Sequence, residues 1–245
     1  MSGHSKWANI KRRKAKVDAV KGTVFSRLTK EIMAAAKQGG GNPDTNFKLR
    51  LAIDKAKGSN LPAANIERAI RRATGQEAGV NYEETVYEGY GPAGTAVYLD
   101  ILTDNRNRTA GEIRHIFSRH GGSLGETGCV AWMFEPKGRL VIAHTVRSEE
   151  DLLDLAIEAG ADDLSRDGDD FVILTGPDML DQVRQAFLER GEQIEEAELV
   201  RLPKTTVAVE GRDAEQLLEL LDLLEEHDDV QKVFSNGDIP DELLE

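Results

Sequence analysis

The chain has a single cysteine, Cys129, in 245 residues. That excludes an internal disulfide and any zinc site built from several thiolates. A lone thiol suits a reducing compartment, so a cytoplasmic location is expected. Long apolar runs are missing as well. No stretch approaches the roughly 18 apolar residues that cross a bilayer, and no apolar segment follows the basic N-terminus as it would in a secretory signal. Ser2 precedes Gly3, which breaks the myristoylation pattern. No membrane partner is expected.

The usual chemical signatures are missing too. His4, His115, His120, His144 and His227 show no metal-ligand spacing with one another or with Cys129. No Lys-Ser or Lys-Thr follows Gly39-Gly40-Gly41, so it is not a phosphate loop, and Gly89-Tyr90-Gly91-Pro92 lacks the dinucleotide spacing. Asp162, Asp163, Asp167, Asp169 and Asp170 crowd one hairpin without the calcium-loop pattern. No serine or cysteine has a base and an orienting group beside it. The chain is therefore expected to be no enzyme, with no cofactor, no metal and no small-molecule substrate.

What is present is charge, unevenly spread. The net charge is −13, yet residues 1–75 hold 17 of the 31 lysines and arginines and only five acidic residues. That segment carries +12 and the remainder −25. A split of this size assigns the segments separate work. Apolar content of 40% is enough for real cores.

Residues 1–16 read as a basic arm holding Lys6, Trp7, Lys11, Arg12, Arg13, Lys14 and Lys16. From Val17, apolar residues recur at helical steps through Val20, Val24, Leu28, Ile32 and Ala35, with Arg27, Lys30 and Lys37 opposite and Lys21 an exception. Glycines 39–41 stop this helix. A second is expected to open at Asn42-Pro43-Asp44 and close at Gly58. A third starts near Pro62 and carries Arg68, Arg71 and Arg72 before Gly75. Short amphipathic helices are unstable alone, so these should pack as a small bundle; with its charge of +12, 1–75 is expected to be a basic helical nucleic-acid-binding domain. Residues 76–81 read as a linker.

The periodicity then changes to that of strands, at 83–90, 95–102, 129–135 and 139–144. In 95–102, Thr95, Val97, Leu99 and Ile101 alternate against Ala96, Tyr98 and Asp100, as in a half-buried strand. Thr109 with Glu112 suggests a capping box for a helix at 109–120. Residues 139–200 read β-α-β-β-α-β, with an Asp167-Gly168 turn joining the middle strands, the order of a split βαβ. Strand 205–210, helix 213–226 and strand 230–234 then complement the elements of 83–135. The expected fold class is α+β: an N-terminal three-helix basic bundle followed by two α/β (ferredoxin-like) domains, one inserted in the other. The middle domain takes 82–135 plus 203–245, and the insert takes 136–202.

Two groups of residues are candidates for function. Lysines and arginines of the arm and bundle neutralise phosphates and release counterions, the main source of non-specific nucleic-acid affinity. The nucleic-acid set is Lys6, Trp7, Lys11, Arg12, Arg13, Lys14, Lys16, Lys21, Arg27, Lys30, Arg68, Arg71 and Arg72, with Trp7 able to stack on an unpaired base. The second group is Asn105, Arg106, Asn107 and Arg108, which precede the expected helix, where free amides favour an anion, a phosphate or a carboxylate. A capped turn, with Asn105 and Asn107 serving local backbone groups, is the alternative.

Gly3-His4-Ser5-Lys6-Trp7, Gly39-Gly40-Gly41-Asn42-Pro43, Tyr87-Glu88-Gly89-Tyr90-Gly91-Pro92 and Thr103 to Thr109 together resemble the YebC/PmpR family. The match is ordered and runs from end to end; the one departure is Ala93, where many members have glycine. The resemblance implies a three-domain cytoplasmic protein of a family described as probable transcriptional regulators that bind DNA. It also includes a mitochondrial branch described as translational activators, and bacterial relatives linked to the ribosome. Two expectations follow: a DNA-binding transcriptional regulator, or a ribosome-associated translation factor binding structured RNA. The sequence shows no clear helix-turn-helix and no dimer element, and Trp7 suits unstacked RNA bases.

Overall fold

The computed structural model describes residues 21–75, 82–143, 145, 147–240 and 243. The arm at 1–16, residues 17–20 and the linker at 76–81 lie outside them. In chain order the elements are α1 (Lys21–Gly39), α2 (Phe47–Gly58), α3 (Ala63–Ala73), β1 (Glu83–Tyr90), β2 (Ala96–Thr103), α4 (Arg106–Arg119) and β3 (Ser123–Leu124). Next come β4 (Phe134–Ile142), α5 (Glu149–Ala159), β5 (Asp163–Asp167), β6 (Asp170–Thr175), α6 (Leu180–Glu189) and β7 (Ile194–Pro203). The chain closes with β8 (Val207–Ala208), α7 (Gly211–Glu226), β9 (Val230–Ser235) and β10 (Gly237–Asp238). Three helices followed by mixed sheets and helices make the fold α+β. It divides into two compact units: Glu135–Leu202, and the rest of the described chain on either side of it.

In the larger unit, α1 to α3 pack around Leu28, Ile32 and Ala36, Leu49, Ala52 and Ala56, and Ile66 and Ala69. The joint between α1 and α2 is organised by Asn46, which the sequence reading passes over. Its buried side chain donates from Nδ2 to the carbonyls of Ala35 and Gly40, both at 2.8 Å, and accepts from the amide of Leu49 at 3.1 Å. Asn46, not Asn42, therefore caps α2, because its oxygen is the one that reaches a first-turn amide. Residues 42–45 form the turn that leads to it.

The same unit contains a four-stranded antiparallel sheet in the order β3-β1-β2-β9, with β8 and β10 paired in parallel beside it. Val97, Leu99 and Ile101 of β2 meet Ile113 and Phe117 of α4 and Leu217, Leu220, Leu221 and Leu224 of α7. Ala96 and Tyr98 pack on the opposite side with Val130 and Phe134. β2 is therefore covered on both faces, not one, since loop residues beyond Gly128 fold over the second. The expected strand at 129–135 does not form. Amides in this stretch bond to the Glu88 carboxylate, so they have no strand neighbour, and one strand, β4, starts at Phe134 in place of the two expected. The expected strand at 205–210 shortens to Val207–Ala208.

The unit Glu135–Leu202 has the sheet order β5-β6-β4-β7 with α5 and α6 in the connections, the order of a split βαβ. Asp167 pairs with Asp170, so the hairpin turn is Gly168-Asp169, one residue beyond the expected place, and Gly168 supplies the positive φ of 65°.

Candidate nucleic-acid interface

α3 places Arg68, Arg71 and Arg72 on its exposed side, opposite the buried Ile66 and Ala69. Arg71 lies 4.0 Å from Glu67, one turn back. α2 and α3 are joined by the short turn from Ser59 to Pro62. Lys37, Lys48, Lys55 and Lys57 are further exposed cations of the bundle. Lys6, Trp7, Lys11, Arg12, Arg13, Lys14 and Lys16 lie outside the described residues, as does the side chain of Lys21.

Arg27 and Lys30 are engaged elsewhere. The Arg27 guanidinium donates to the carbonyl oxygens of Glu225 and His227, and the Lys30 ammonium donates to that of Asp228. These carbonyls lie at the C-terminal end of α7 and in the two residues just beyond it, where the last helical carbonyls lack partners within the helix and a cation also favours the dipole. Burial lowers the Arg27 pKa, while Asp228 and Glu226 act against that. α1 thus uses one face for the bundle core and another to cap α7.

Lys30 also meets Asp229 (Nζ to Oδ1, 2.9 Å). The other carboxylate oxygen, Oδ2, accepts from Arg108 at 2.6 Å, Thr109 at 2.8 Å and Thr103 at 3.1 Å. Burial alone would raise the Asp229 pKa, but the bonds from Lys30, Arg108 and Thr109 hold it well below the usual carboxylate range. The bond to Asp229 in turn raises the Arg108 pKa.

The Thr103–Thr109 segment is accounted for within this cluster. Asn105 caps α4, accepting from the Arg108 amide at 3.1 Å, so the helix begins at Arg106 and the expected Thr109–Glu112 capping box is absent. Thr109 is instead buried inside the first turns and bonded to Asp229. Arg108 also reaches Asp104 at 3.0 Å. The Arg106 guanidinium donates to Thr85 at 3.3 Å, and its carbonyl accepts from Tyr87. Asn107 is an exposed residue of the first turn.

A cleft of about 850 Å³ borders the cluster, lined by Lys30, Tyr82, Arg108, Glu112, His227 and Asp229 among others. Glu112, His227 and Asp229 bring ligand-type atoms within 4.8 Å of one another. Each atom already has a partner: the Asp229 amide donates to His227 Nδ1, which leaves the ring proton on Nε2, 2.9 Å from Glu112.

Glu88, missed by the sequence reading, is the second organising carboxylate. Its buried side chain accepts from the amides of Gly128, Val130 and Ala131 at 2.6 to 2.8 Å. Tyr90, from the same motif, donates to the Cys129 carbonyl at 3.0 Å. The only signal for this role was a charged residue inside a strand pattern.

Both parts of the chain match models of known protein families. The family model "TACO1/YebC protein N-terminal domain" matches residues 5–76, and "TACO1/YebC second and third domain" matches residues 82–237. A protein of Pelotomaculum thermopropionicum is 57% identical over 243 residues, covering 98% of this chain and all of that one. One of Dictyoglomus turgidum is 54% identical over 246 residues, covering 100% and 99%. Both are named "Probable transcriptional regulatory protein". The crystal structure of a conserved hypothetical protein from Aquifex aeolicus matches with a TM-score of 0.86 at 45% identity, over 94% of this chain and 96% of that one. With both family models and full-length relatives in register, the chain belongs to the TACO1/YebC family.

Proposed function

We propose that this chain is a cytoplasmic nucleic-acid-binding regulator of gene expression, gripping its target through the basic arm and helical bundle, with DNA as the target. The observation that carries this reading is α3, whose exposed side presents Arg68, Arg71 and Arg72. A helix joined to its predecessor by a four-residue turn is a shape that a major groove admits. The names of the full-length relatives favour regulation at the level of transcription. Negative charge on the remaining chain turns the basic segment toward a polyanion.

A second reading, a translation factor binding structured RNA of the ribosome, is favoured by two tryptophans suited to unstacked bases: Trp7 in the arm and the exposed Trp132. Titration of the full chain against labelled duplex DNA and a labelled RNA hairpin decides between them. Tighter binding to duplex is expected, with Arg68, Arg71 and Arg72 changed together to alanine weakening it at least tenfold. Equal affinity of that variant would sink the role of α3, and a preference for the hairpin would move the target to RNA.

A further inference from the structure

Trp132 is 64% exposed, the only described aromatic side chain among the large exposed apolar residues. It lies in the larger unit, on the turn of Ala131 to Met133 just before β4. An indole this exposed contributes little to a core, and the backbone that presents it is fixed. The backbone here is held from several sides. Glu88 binds the amides of Gly128, Val130 and Ala131, Tyr90 binds the Cys129 carbonyl, and the Trp132 indole N–H donates to that same carbonyl at 3.1 Å. Lys204 donates its ammonium to the Trp132 carbonyl at 2.9 Å, and its own amide to Met133 at 2.9 Å.

We propose that Trp132 is a stacking platform for one unpaired nucleobase of the bound nucleic acid, with Lys204 beside it to meet the adjoining phosphate. Three features favour a base over a protein partner. The indole N–H is already satisfied, which leaves the ring to act through its face. The loop residues leading to it, Glu126, Thr127 and Gly128, are exposed and not apolar, whereas a protein hot spot needs a surrounding ring of near-neutral contacts that excludes water. A cation, the Lys204 ammonium, stands at the main-chain carbonyl of Trp132, from which its flexible side chain can turn to a phosphate.

This inference rests on the nucleic-acid reading and requires that the target offer a base outside a duplex, and the experiment separates the two. The full chain with Trp7→Phe leaves Trp132 as the sole indole. It is titrated with a labelled single-stranded oligoadenylate, reading label anisotropy for binding and indole emission for stacking. Saturable binding with quenched emission is expected. Trp132→Ala should weaken binding by roughly 5- to 150-fold, as loss of one stacked base does, with Trp132→Phe recovering most of it. An unchanged melting temperature in both variants shows that the loop stays folded. Binding with unquenched emission, or wild-type affinity in Trp132→Ala, overturns the platform while leaving the nucleic-acid reading intact. No anisotropy change with any DNA or RNA overturns both.

Discussion

The ammonium of Lys30, in the basic bundle, lies 2.9 Å from Asp229 Oδ1, and the Asp229 side chain is only 4% exposed. A cation whose sequence context suggests phosphate binding is thus committed to a buried carboxylate nearly 200 residues away. Arg108 closes on the other oxygen, so one aspartate ties α1 and α4 to the loop before β9. Replacing Asp229 with alanine removes the carboxylate that joins these cations and should destabilise the fold by about 3 kcal/mol, the lower end for a broken buried pair because Arg108 is half exposed and both cations keep a second partner. Chemical denaturation of the variant checks this.

The same group sets a pH dependence. Its carboxyl pKa is depressed in the folded chain, so its stabilisation is complete above the ordinary aspartate value of about 4 and is lost as pH falls below it. Stability of the unmodified chain should decline from about pH 4 downward. Asp229→Asn should start lower and decline less steeply over that interval. Parallel curves would show that other carboxylates dominate.

Arg106 and Arg108 are expected to separate in their effects. Arg108→Ala breaks the bonds to Asp229 and Asp104, and should cost about 1–2 kcal/mol after discounting for its exposure. Arg106→Ala removes a 3.3 Å bond to Thr85 from an exposed side chain and should cost less than about 0.5 kcal/mol. Melting curves of the two single variants decide it, and equal losses would contradict the cluster as described.

Ala93 is where the resemblance called for glycine, and the structure explains why. Gly94 donates to the Gly91 carbonyl across a turn with Pro92 and Ala93 at its centre, and Ala93 has φ 56°. Proline followed by a residue of positive φ is the pattern of a type II turn. The left-handed conformation costs an alanine about 1–2 kcal/mol, while glycine adds roughly 0.5–1 kcal/mol of unfolded-state entropy. Ala93→Gly should therefore raise stability by about 0.5–1 kcal/mol; a loss of stability would place the strain elsewhere.

Deleting residues 1–16 should lower nucleic-acid affinity by at least tenfold and leave the melting temperature nearly unchanged, since the segment holds six of the basic residues and no apolar periodicity. The logarithm of affinity should fall with that of salt by about 0.9 for each duplex phosphate neutralised, and the deletion should flatten that slope. An equal slope in the truncated chain would assign the phosphate contacts to the bundle alone.

Local rules suffice for much of this molecule. The three helices of the bundle, the helix–strand order of 149–200 and the strands at 83–90 and 95–102 follow from apolar periodicity and glycine punctuation, which act over a few residues. The charge division is likewise a matter of composition. Three features lay beyond those rules, because each depends on a partner distant in the chain. The interior of Ala96 and Tyr98 exists because the loop held by Glu88 folds across them. Arg27 and Lys30 look like solvent-facing cations until the carbonyl end of α7 arrives, nearly 200 residues later. Asn105, Arg106, Asn107 and Arg108 suggest an anion site before a helix, and the anion that Arg108 holds, together with Thr103 and Thr109, is Asp229 of the same chain. Periodicity reports which face of a helix is apolar; only the packed neighbours determine whether its polar face meets water, a nucleic acid or another part of the protein.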